Sequence, residues 1–312
     1  MKLYITLGFI LLSLVSFVSA CQNRPFYRES KFLMGTTAEV ICQDRDAIRM
    51  VFSEIERLEK LFNRFDPNSE ISKLNREGRA EVSRETLDLI KRSLEFSKLT
   101  EGAFDITIGP LADLWKERIK SNPVSLPLDS EIRERLELVS SDYIIVDEEG
   151  SCIRLAKKGV SLDLGAIAKG YAIDCVVKKL RSAGIKDCLV RIGGSVYCLG
   201  KKKNRRWKVG IQHPRDSGEF IDHVELKDKA IDTSGDYEQF FIYEGKRYHH
   251  LISPKTGYPV DNQIVSVTVI SPEATIADFL STAIFVLGRE RGKELAERFK
   301  DTEVIIFGEE DI

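Results

Sequence analysis

The sequence predicts an α+β fold in which antiparallel sheets pack against helices, and three observations support this prediction. Short apolar segments separated by turn residues dominate the second half of the 312-residue chain, a pattern typical of paired strands. Apolar residues recur at helical spacing over 46–62, which predicts an amphipathic helix. Neither a fixed-period repeat nor a low-complexity linker interrupts the chain after residue 31. We therefore expect residues 32–312 to form one domain.

The first half is expected to be mainly helical. Its predicted elements are, in order, a strand over 33–43, a helix over 46–62, a turn-rich loop over 62–75, a helix over 86–100, a helix entered through a glycine–proline break within 102–115, and a proline-containing excursion over 116–130.

The second half is expected to be richer in strands. Its predicted elements are a hairpin of strands over 143–146 and 152–155, a strand over 159–164, a helix over 166–183 closed by Gly184, strands over 188–199, 207–212, 223–226, 230–234, 240–243 and 265–270, helices over 275–287 and 290–299, and a last strand over 304–307.

The N-terminus is typical of a targeting segment. Lys2 precedes an uncharged apolar run that continues to Ala20, so residues 1–20 are interpreted as a signal peptide. The small residues before Cys21 resemble a bacterial lipobox, which predicts a lipidated Cys21 and a short tether over 21–31. Secretion after Ala20 with an incidental cysteine, or an uncleaved anchor, are the alternatives. All three place the protein outside the cytoplasm, and the lipidated form lies on the periplasmic face of a bacterial membrane.

Charge and cysteine usage argue against several classes of protein. With 47 basic and 49 acidic residues, an extended nucleic-acid surface is not expected. The basic stretch over 201–206 lies between two predicted strands and is interpreted as a solvated hairpin loop, with a phosphate-binding patch as the alternative. The six cysteines lack Cys-x-x-Cys spacing, which argues against a zinc site and a disulfide framework and favours core positions.

The stretch SLDLGAIAKGYAID (161–174) has the composition of an anion site at a strand-to-helix junction. The first turn of a helix has unpaired N–H groups that carry partial positive charge. Gly165 and the small residues after it allow a phosphate to approach this backbone closely. Lys169 adds a full positive charge, and Asp163 offers hydrogen-bond acceptors to a ligand. A tight packing turn is the alternative interpretation.

The stretch ATIADFLSTAIFVLG (274–288) predicts a buried helix, because it is apolar nearly all round. Asp278 and Thr282 lie four residues apart and therefore on one face. A buried carboxylate needs a partner, and carboxylate and hydroxyl oxygens are ligands that magnesium shares with substrate phosphates. A core-satisfied or N-capping pair is the alternative.

The stretch YHHLISPKTGYPVDN (248–262) places two of the four histidines before a turn-rich loop. One of them, His249 or His250, is a candidate general base near neutral pH. Zinc is disfavoured, because no further histidine or cysteine stands at ligand spacing. Two strand-end histidines without a catalytic role are the alternative.

Seven stretches, taken in order, resemble the FAD:protein FMN transferases, which are the ApbE-type flavin transferases, over about residues 31–307. The resemblance implies an FAD cleft between two subregions of the α+β fold, with FAD as the substrate and Mg²⁺ as the cofactor. The matching stretches are LMGTTAEV, FDPNSEISKLN, GAFDITIGPLADLW, SLDLGAIAKGYAID, VRIGGSV, HLISPKTGYPV and ADFLSTAIFVLG.

The resemblance also implies residue roles. Phe65 stands where many relatives have a tyrosine, so it keeps a stacking face and lacks the hydroxyl. His250 is predicted, from its position and residue type, to activate the attacking hydroxyl, and Asp278 is predicted to be catalytic as well as a metal ligand. The implied flavin-nucleotide contacts are Met34, Phe65, Ala103, Phe104, Asp105, Asp163, Lys169 and Ile252, and the implied metal ligands are the carbonyl of Ala166 and the side chains of Asp278 and Thr282.

The implied reaction transfers the FMN moiety of FAD to a threonine or serine hydroxyl of an acceptor flavoprotein subunit and releases AMP. With water as the acceptor, the same site is an FAD pyrophosphatase. A lipoprotein that stores FAD without turnover is the third alternative. A lipid anchor implies a membrane partner, and no nucleic-acid partner is expected.

Overall fold

The computed structural model describes residues 25–312, so the predicted signal peptide and Cys21 lie outside the described residues. The α+β prediction is confirmed. None of the described helices is long and apolar enough to cross a membrane. The elements are, in chain order, β1 (Tyr27–Leu33), β2 (Thr36–Cys42), α1 (Arg45–Phe62), α2 (Glu70–Glu77), β3 (Arg79–Glu81), α3 (Arg84–Leu99), α4 (Gly109–Lys120), α5 (Asp129–Leu136), β4 (Ile144–Asp147), β5 (Cys152–Leu155), α6 (Ala168–Ser182), β6 (Cys188–Ile192), β7 (Ser195–Leu199), β8 (Trp207–Gln212), β9 (Phe220–Leu226), β10 (Lys229–Gly235), β11 (Phe240–Tyr243), β12 (Lys246–His249), β13 (Ile264–Ser271), α7 (Ala274–Leu287), α8 (Arg289–Ala296) and β14 (Glu303–Gly308).

The centre of the fold is a seven-stranded sheet with the strand order β1-β2-β6-β7-β10-β13-β14, and each neighbouring pair is antiparallel. The helices α1, α6 and α7 pack with one face of this sheet in the main core. The other face carries a smaller core that includes residues of the two-stranded β8–β9 sheet. Residues of β7 alternate between the two cores, so both faces of the central strands are buried.

Helix α7 is buried in the structure, as its apolar composition predicts. It was predicted to be buried because it is apolar nearly all round, and it packs against α6, β10 and β13 as well as α8. The phenyl ring of Phe279 stacks on that of Phe96 with centroids 3.8 Å apart, which joins α7 to α3. Helix α7 is thus enclosed by its neighbours, and any polar group on it must find a partner inside the fold.

The predicted tether over 21–31 is wrong for residues 27–31, because they belong to β1. This strand pairs with β2 along its whole length. It lies at the edge of the sheet, and its side chains are exposed from residue 28 to residue 32. The alternation of apolar and polar residues that signals a half-buried strand is therefore missing.

Other segments also differ from the predictions. The loop predicted over 62–75 contains the start of α2, and the short strands β3 and β12 were not predicted. The excursion predicted over 116–130 is partly helical, since it holds the end of α4 and the start of α5. The strand predicted over 159–164 makes only one β-bridge, between Ser161 and Ile108, in the described structure.

The two ends of the central sheet differ in character. At one end Met34 and Gly35 form the two-residue turn between β1 and β2, with φ of 52° and 73°. The turn at Gly193 and Gly194 lies next to it, and it splits the predicted strand over 188–199 into β6 and β7. At the opposite end, the residues that lie side by side are Tyr27, Cys42, Cys188 and Leu199.

The cysteines agree with their predicted core positions. The five in the described range are free, and all except Cys175 are buried. Cys42 and Cys188 lie opposite each other on β2 and β6.

Candidate active site

A cavity of about 610 Å³ opens at the end of the sheet that carries the two turns. The central sheet with α6 and α7 forms one wall, and a second subregion with α4 and the loop over 251–260 forms the other. Its volume is in the range of sites for small molecules and cofactors. Of the described residues given a role from the sequence, His249 does not line it, and the others do, namely Met34, Phe65, Ala103, Phe104, Asp105, Asp163, Ala166, Lys169, His250, Ile252, Asp278 and Thr282.

The close contact between α6 and α7 shapes the floor of the cavity. A Cβ atom at Gly170 would lie 2.3 Å from the carbonyl oxygen of Ala274, so only glycine allows this approach. The Gly170 N–H donates to Oδ2 of Asp278 at 2.8 Å. Gly170 is the third residue of α6, where the backbone N–H has no acceptor within the helix and can donate outside it. No backbone N–H of the described chain donates to the carbonyl of Ala166, which precedes α6, so its oxygen stays open.

Lys169 and Asp278 form an ion pair on this floor, in which the Asp278 side chain is buried and that of Lys169 is 25% exposed. The Lys169 ammonium lies 3.2 Å from Oδ1 of Asp278 and donates to the carbonyl oxygen of Gly165 at 2.7 Å. Burial alone would lower the pKa of Lys169, but the carboxylates of Asp278 and Asp232 outweigh it and raise that pKa. Burial raises the pKa of Asp278 to about 6 despite Lys169. The predicted contact residue Lys169 therefore sits among the predicted metal ligands.

Negative charge is in excess around this ion pair. Asp232 and Asp278 are 3% and 2% exposed, and Glu238 lines the same cavity. The surrounding protein raises the pKa of Glu238 to about 7 by desolvation, against the opposing effect of Lys169, and Asp232 and Asp278 add to the rise. The Lys169 ammonium thus faces three carboxyl groups. A bound cation would offset their excess negative charge.

The donor set near α7 suits a hard divalent cation. The carboxylate of Asp278, the hydroxyl of Thr282 and the open carbonyl of Ala166 are oxygen ligands of the kind that Mg²⁺ takes. Within residues 25–312, no group of three or more His, Cys, Asp or Glu side chains is arranged to hold a metal ion by itself. Such a site is incomplete without further oxygens, as is typical of magnesium held jointly with substrate phosphates.

The strand β10 contributes a buried hydroxyl–carboxylate network that the sequence-based predictions missed. The Ser281 hydroxyl donates to Oδ2 of Asp232 at 2.6 Å, and the Ser195 hydroxyl donates to Oδ1. The hydroxyl of Ser234 lies 2.8 Å from that of Ser281 and 3.2 Å from that of Thr282. The network connects β10 to α7 and fixes the orientation of Thr282.

The two histidines have different roles in the structure. His249 is buried, with Nε2 3.0 Å from the carbonyl oxygen of Val260 and Nδ1 accepting from the Leu251 N–H at 3.2 Å. These contacts fix its tautomer and fit the strand-end alternative. His250 lines the cavity, and its buried Nδ1 has no hydrogen-bond partner in the described chain. Burial, with a smaller effect of His249, lowers the pKa of His250 to about 4, so the ring is neutral at pH 7.

Asp163 is held in place by a residue that the predictions missed. The Arg64 guanidinium, with only 9% of its side chain exposed, donates to Oδ2 of Asp163 at 2.9 Å and to Asp113 at 2.6 Å. The other oxygen of Asp163 accepts from the Gly165 N–H at 2.8 Å. Asp163 therefore shapes the turn before α6, and it also lines the cavity. Helix α6 begins at Ala168, two residues later than predicted.

Aromatic and apolar residues line the outer part of the cavity. The ring of Phe65 is 61% exposed, and the Lys116 ammonium lies 4.1 Å from its centroid. Trp115 is buried, and its Nε1 donates to the carbonyl of Gly257 at 2.8 Å, which attaches the loop over 251–260 to α4. Ile252 is buried within that loop. An open aromatic face beside a cation suits the stacking of a planar ring system.

The segment over 103–105 lines the cavity and also makes packing and turn contacts within the fold. The Phe104 ring packs edge-on against Phe279 with centroids 5.0 Å apart. Asp105 is 8% exposed, and its carboxylate accepts from the Thr107 N–H and hydroxyl and from the Ser141 N–H at 2.6–2.8 Å. The carboxylate of Asp105 thus shapes a turn beside the cavity.

Met34 occupies a strained position at the mouth of the cavity. Its φ of 52° is unusual for a residue with a side chain. The Met34 N–H donates to Oε1 of Glu59 at 2.9 Å, so α1 holds the turn in place. The turn thereby presents Met34 to the cavity.

Comparison with known proteins identifies this arrangement. A model of the ApbE family matches residues 34–306. An FAD:protein FMN transferase of Vibrio cholerae is 35% identical over 276 residues, which cover 85% of this chain and 82% of the relative. An FAD:protein FMN transferase of Treponema pallidum is 30% identical over 324 residues, which cover 95% of this chain and 89% of the relative.

Solved structures agree with the sequence relatives. The ApbE protein of Thermotoga maritima superposes with a TM-score of 0.83 at 33% identity, over 91% of this chain and 95% of the other. The flavin transferase ApbE of Vibrio cholerae gives a TM-score of 0.79 at 31% identity, over 91% and 94% of the two chains. The matching family model, the relatives and the shared fold together show that this chain belongs to the ApbE family.

Proposed function

We propose that this protein is an FAD:protein FMN transferase that moves the FMN moiety of FAD to a threonine or serine hydroxyl of an acceptor protein. Its relatives in Vibrio cholerae and Treponema pallidum carry that name. The single observation that best supports magnesium-dependent chemistry is that three oxygen donors line one cavity of suitable size, namely the Asp278 carboxylate, the Thr282 hydroxyl and the Ala166 carbonyl, which accepts no backbone hydrogen bond in the described chain. The Gly170 N–H donates to Asp278 and orients its carboxylate.

The residues of this chain divide the cavity into two regions. The Phe65 and Ile252 side chains provide apolar contact for ring systems, whereas Lys169, Asp278 and Thr282 provide charge and oxygen donors for a pyrophosphate. A bound magnesium ion supplies neutralisation of phosphate charge and polarisation of the bond to be broken. Lys169 stays protonated, because its pKa is raised, and it provides a positive charge for the phosphate oxygens.

The transfer exchanges the phosphoanhydride bond of FAD for a phosphoester bond to the acceptor. The acceptor hydroxyl oxygen bonds to the phosphorus on the FMN side, the P–O bond to the AMP phosphate breaks, and AMP leaves with the bridging oxygen. The proton of the hydroxyl needs an acceptor. His250 is neutral at pH 7, and its Nδ1 has no partner in the described chain, so the ring can take that proton. A bound pyrophosphate brings negative charge near the ring, which raises its pKa and makes it a better base.

The test is mass spectrometry of an acceptor. The chain over residues 22–312 is incubated with FAD, Mg²⁺ and a flavoprotein fragment that bears a threonine, with and without EDTA. We expect a mass gain equal to esterified FMN, one AMP per adduct, and loss of both with EDTA. FMN and AMP without an adduct, across several acceptors, would identify a pyrophosphatase. FAD that is bound and unchanged would identify a storage protein.

The role of His250 has a separate test. If the ring accepts the proton, His250→Ala lowers the transfer rate by roughly 10²–10⁴-fold while FAD still binds, because general-base catalysis has that magnitude. His249→Phe serves as the matched control, since His249 contacts the loop rather than the cavity. Transfer at the wild-type rate by His250→Ala would exclude the role.

We also propose that the protein acts outside the cytoplasm as a lipoprotein attached through Cys21. The apolar run before Cys21 and the small residues next to it support this placement. Acyl groups on the mature N-terminus, detected by mass spectrometry and absent from Cys21→Ser, would establish it. An N-terminus without lipid would contradict it.

A further inference from the structure

The basic stretch noted in the sequence forms a compact hairpin turn between β7 and β8. We define Lys201–Arg206 as the basic loop, and all six of its residues are exposed. Lys202 and Arg205 exchange backbone hydrogen bonds of 2.9 and 3.0 Å. Lys203 and Asn204, between them, have φ of 49° and 65°. This geometry is that of a tight two-residue turn, so the loop is ordered by its own backbone and displays its side chains outward.

The charges of the basic loop have no acidic partners. No salt bridge within residues 25–312 involves any of its five cations. The carboxylate of Asp187 accepts the Lys201 backbone N–H on Oδ1 at 2.7 Å and forms no salt bridge with the loop. The Lys202 ammonium lies over the Trp207 ring, 5.6 Å from its centroid. Five positive charges in six residues are therefore directed into solvent, and in a chain of net charge −2 they form a local basic surface.

An apolar groove lies at the base of this surface. Ile41, Leu189 and Trp207 line it together with Lys202, Lys203, Arg205, Arg206 and Lys208. Its volume is about 550 Å³. A rim of cations around an apolar floor is the arrangement that suits an amphiphilic anion such as a phospholipid headgroup.

The N-terminus enters the fold at the same place. The ring of Phe26 packs edge-on against Trp207, with centroids 5.5 Å apart. Cys21 precedes Phe26 by five residues, and five extended residues span at most about 18 Å. A lipid on Cys21 would therefore hold Phe26 within at most about 18 Å of the membrane surface, and a tether that is not fully extended brings the basic loop into the roughly 8–10 Å over which the surface potential acts.

We propose that the basic loop and its groove dock on anionic phospholipid headgroups and orient the protein on the membrane. The inference rests on the proposed lipid anchor at Cys21. The cavity lies at the other end of β1, which spans seven residues, or about 20 Å. Docking by the basic loop thus directs the cavity away from the membrane, toward an acceptor protein that extends from it.

The test measures binding of the unlipidated chain over residues 22–312 to vesicles. All described strands and helices lie in this range, so it carries the complete described fold. We expect co-sedimentation with vesicles of about 30% phosphatidylglycerol to exceed that with pure phosphatidylcholine by at least about tenfold, and to disappear near 0.5 M salt. The tested protein carries no lipid anchor on Cys21, and no FAD is added. Failure of vesicle binding is therefore distinct from failure of lipidation or of flavin transfer.

Two matched variants make the test specific. Neutralising the basic loop is expected to reduce vesicle binding at least about tenfold and to leave soluble flavin transfer unchanged. Neutralising five other cations, exposed and without a salt bridge in the described chain, is expected to leave vesicle binding unchanged. The first variant replaces Lys201, Lys202, Lys203, Arg205 and Arg206 by Gln, and the second replaces Lys73, Lys98, Lys293, Arg298 and Lys300 by Gln.

Hydrogen exchange on vesicles adds a positional readout. Docking predicts slowed exchange in residues 200–208 and no change at the turn of Gly193 and Gly194. Equal vesicle binding by the wild type and the first variant would overturn the proposal, as would equal loss in both variants. Absence of binding to anionic vesicles would also overturn it, and an acidic protein partner would then be the remaining use for the charges.

Discussion

The substitution Gly170→Ala tests the close contact between α6 and α7. The added Cβ would lie 2.3 Å from the carbonyl oxygen of Ala274 and 2.8 Å from the Cβ of Asp278. A carbon–oxygen contact normally needs about 3.3 Å, so the two helices must separate by about 1 Å. The Gly170 N–H would then lose its 2.8 Å hydrogen bond to Asp278, and the Lys169 ion pair would be stretched as well.

The magnitude follows from three effects of this substitution. Overpacking costs about 1–3 kcal/mol. Loss of a hydrogen bond to a charged acceptor costs about 1.5–3 kcal/mol. Replacing a helical glycine by alanine returns about 0.5–1 kcal/mol. The net loss of unfolding free energy is roughly 2–5 kcal/mol, which lowers Tm by about 3–8 °C in a folded chain of this size.

The assay combines thermal unfolding with flavin transfer at a temperature where the variant is folded. We expect Gly170→Ala to lower both Tm and the transfer rate, since the oxygen donors at Asp278 and Ala166 move apart. Gly292→Ala is the matched control, because its Cβ would meet the buried side chain of Ile284, 2.5 Å away, at the contact of α8 with α7. That control is expected to lose stability without losing transfer rate. Wild-type Tm and activity in Gly170→Ala would refute the close helix contact.

Three further predictions concern polar groups around the cavity. Arg64→Met leaves Asp163 without its cation, and fluorescence titration should show FAD affinity about tenfold weaker, since a charged hydrogen bond is worth about 1.5–3 kcal/mol; unchanged affinity would contradict this. Ser281→Ala removes a donor from buried Asp232 and should lower the unfolding free energy by about 1–3 kcal/mol in urea, whereas no change would show that Asp232 is satisfied otherwise. Because the pKa of Glu238 is raised to about 7, its stabilising contribution is complete below about pH 4.5 and is lost as pH rises through 7. Urea midpoints of the ligand-free protein should therefore fall less between pH 5 and pH 8 in Glu238→Gln than in the wild type, and equal falls would contradict the shifted pKa.

Long elements with a clear period could be predicted from the sequence. Helix α1 was expected over 46–62 and begins at Arg45, because its apolar residues recur every three to four positions and Asp44 caps it. Helix α7 was found through its continuous apolar composition. The edge strand β1 could not be found, because a strand exposed on both faces has no apolar period.

The residues of the site were found where a local pattern carried them. Asp278 stands out as a carboxylate in an apolar helix, and Lys169 as a cation among small residues. Arg64 could not be recognised, because its partner Asp163 lies 99 positions away and only the fold brings them together. Asp232 did leave a signal, as an acidic residue inside a predicted strand, but its meaning depended on the hydroxyl of Ser281 from another element.

We propose that Asp278 is essential for flavin transfer in this cavity. Mass spectrometry of the acceptor tests this role most directly. Asp278→Asn keeps the shape of the side chain and still accepts from the Gly170 N–H, so the fold should be retained. At saturating FAD and Mg²⁺ we expect the FMN adduct to form at least about 10²-fold more slowly than in the wild type, the scale of a lost transition-state charge interaction. Adduct formation at the wild-type rate by folded Asp278→Asn would contradict the assignment of the metal and the chemistry to this site.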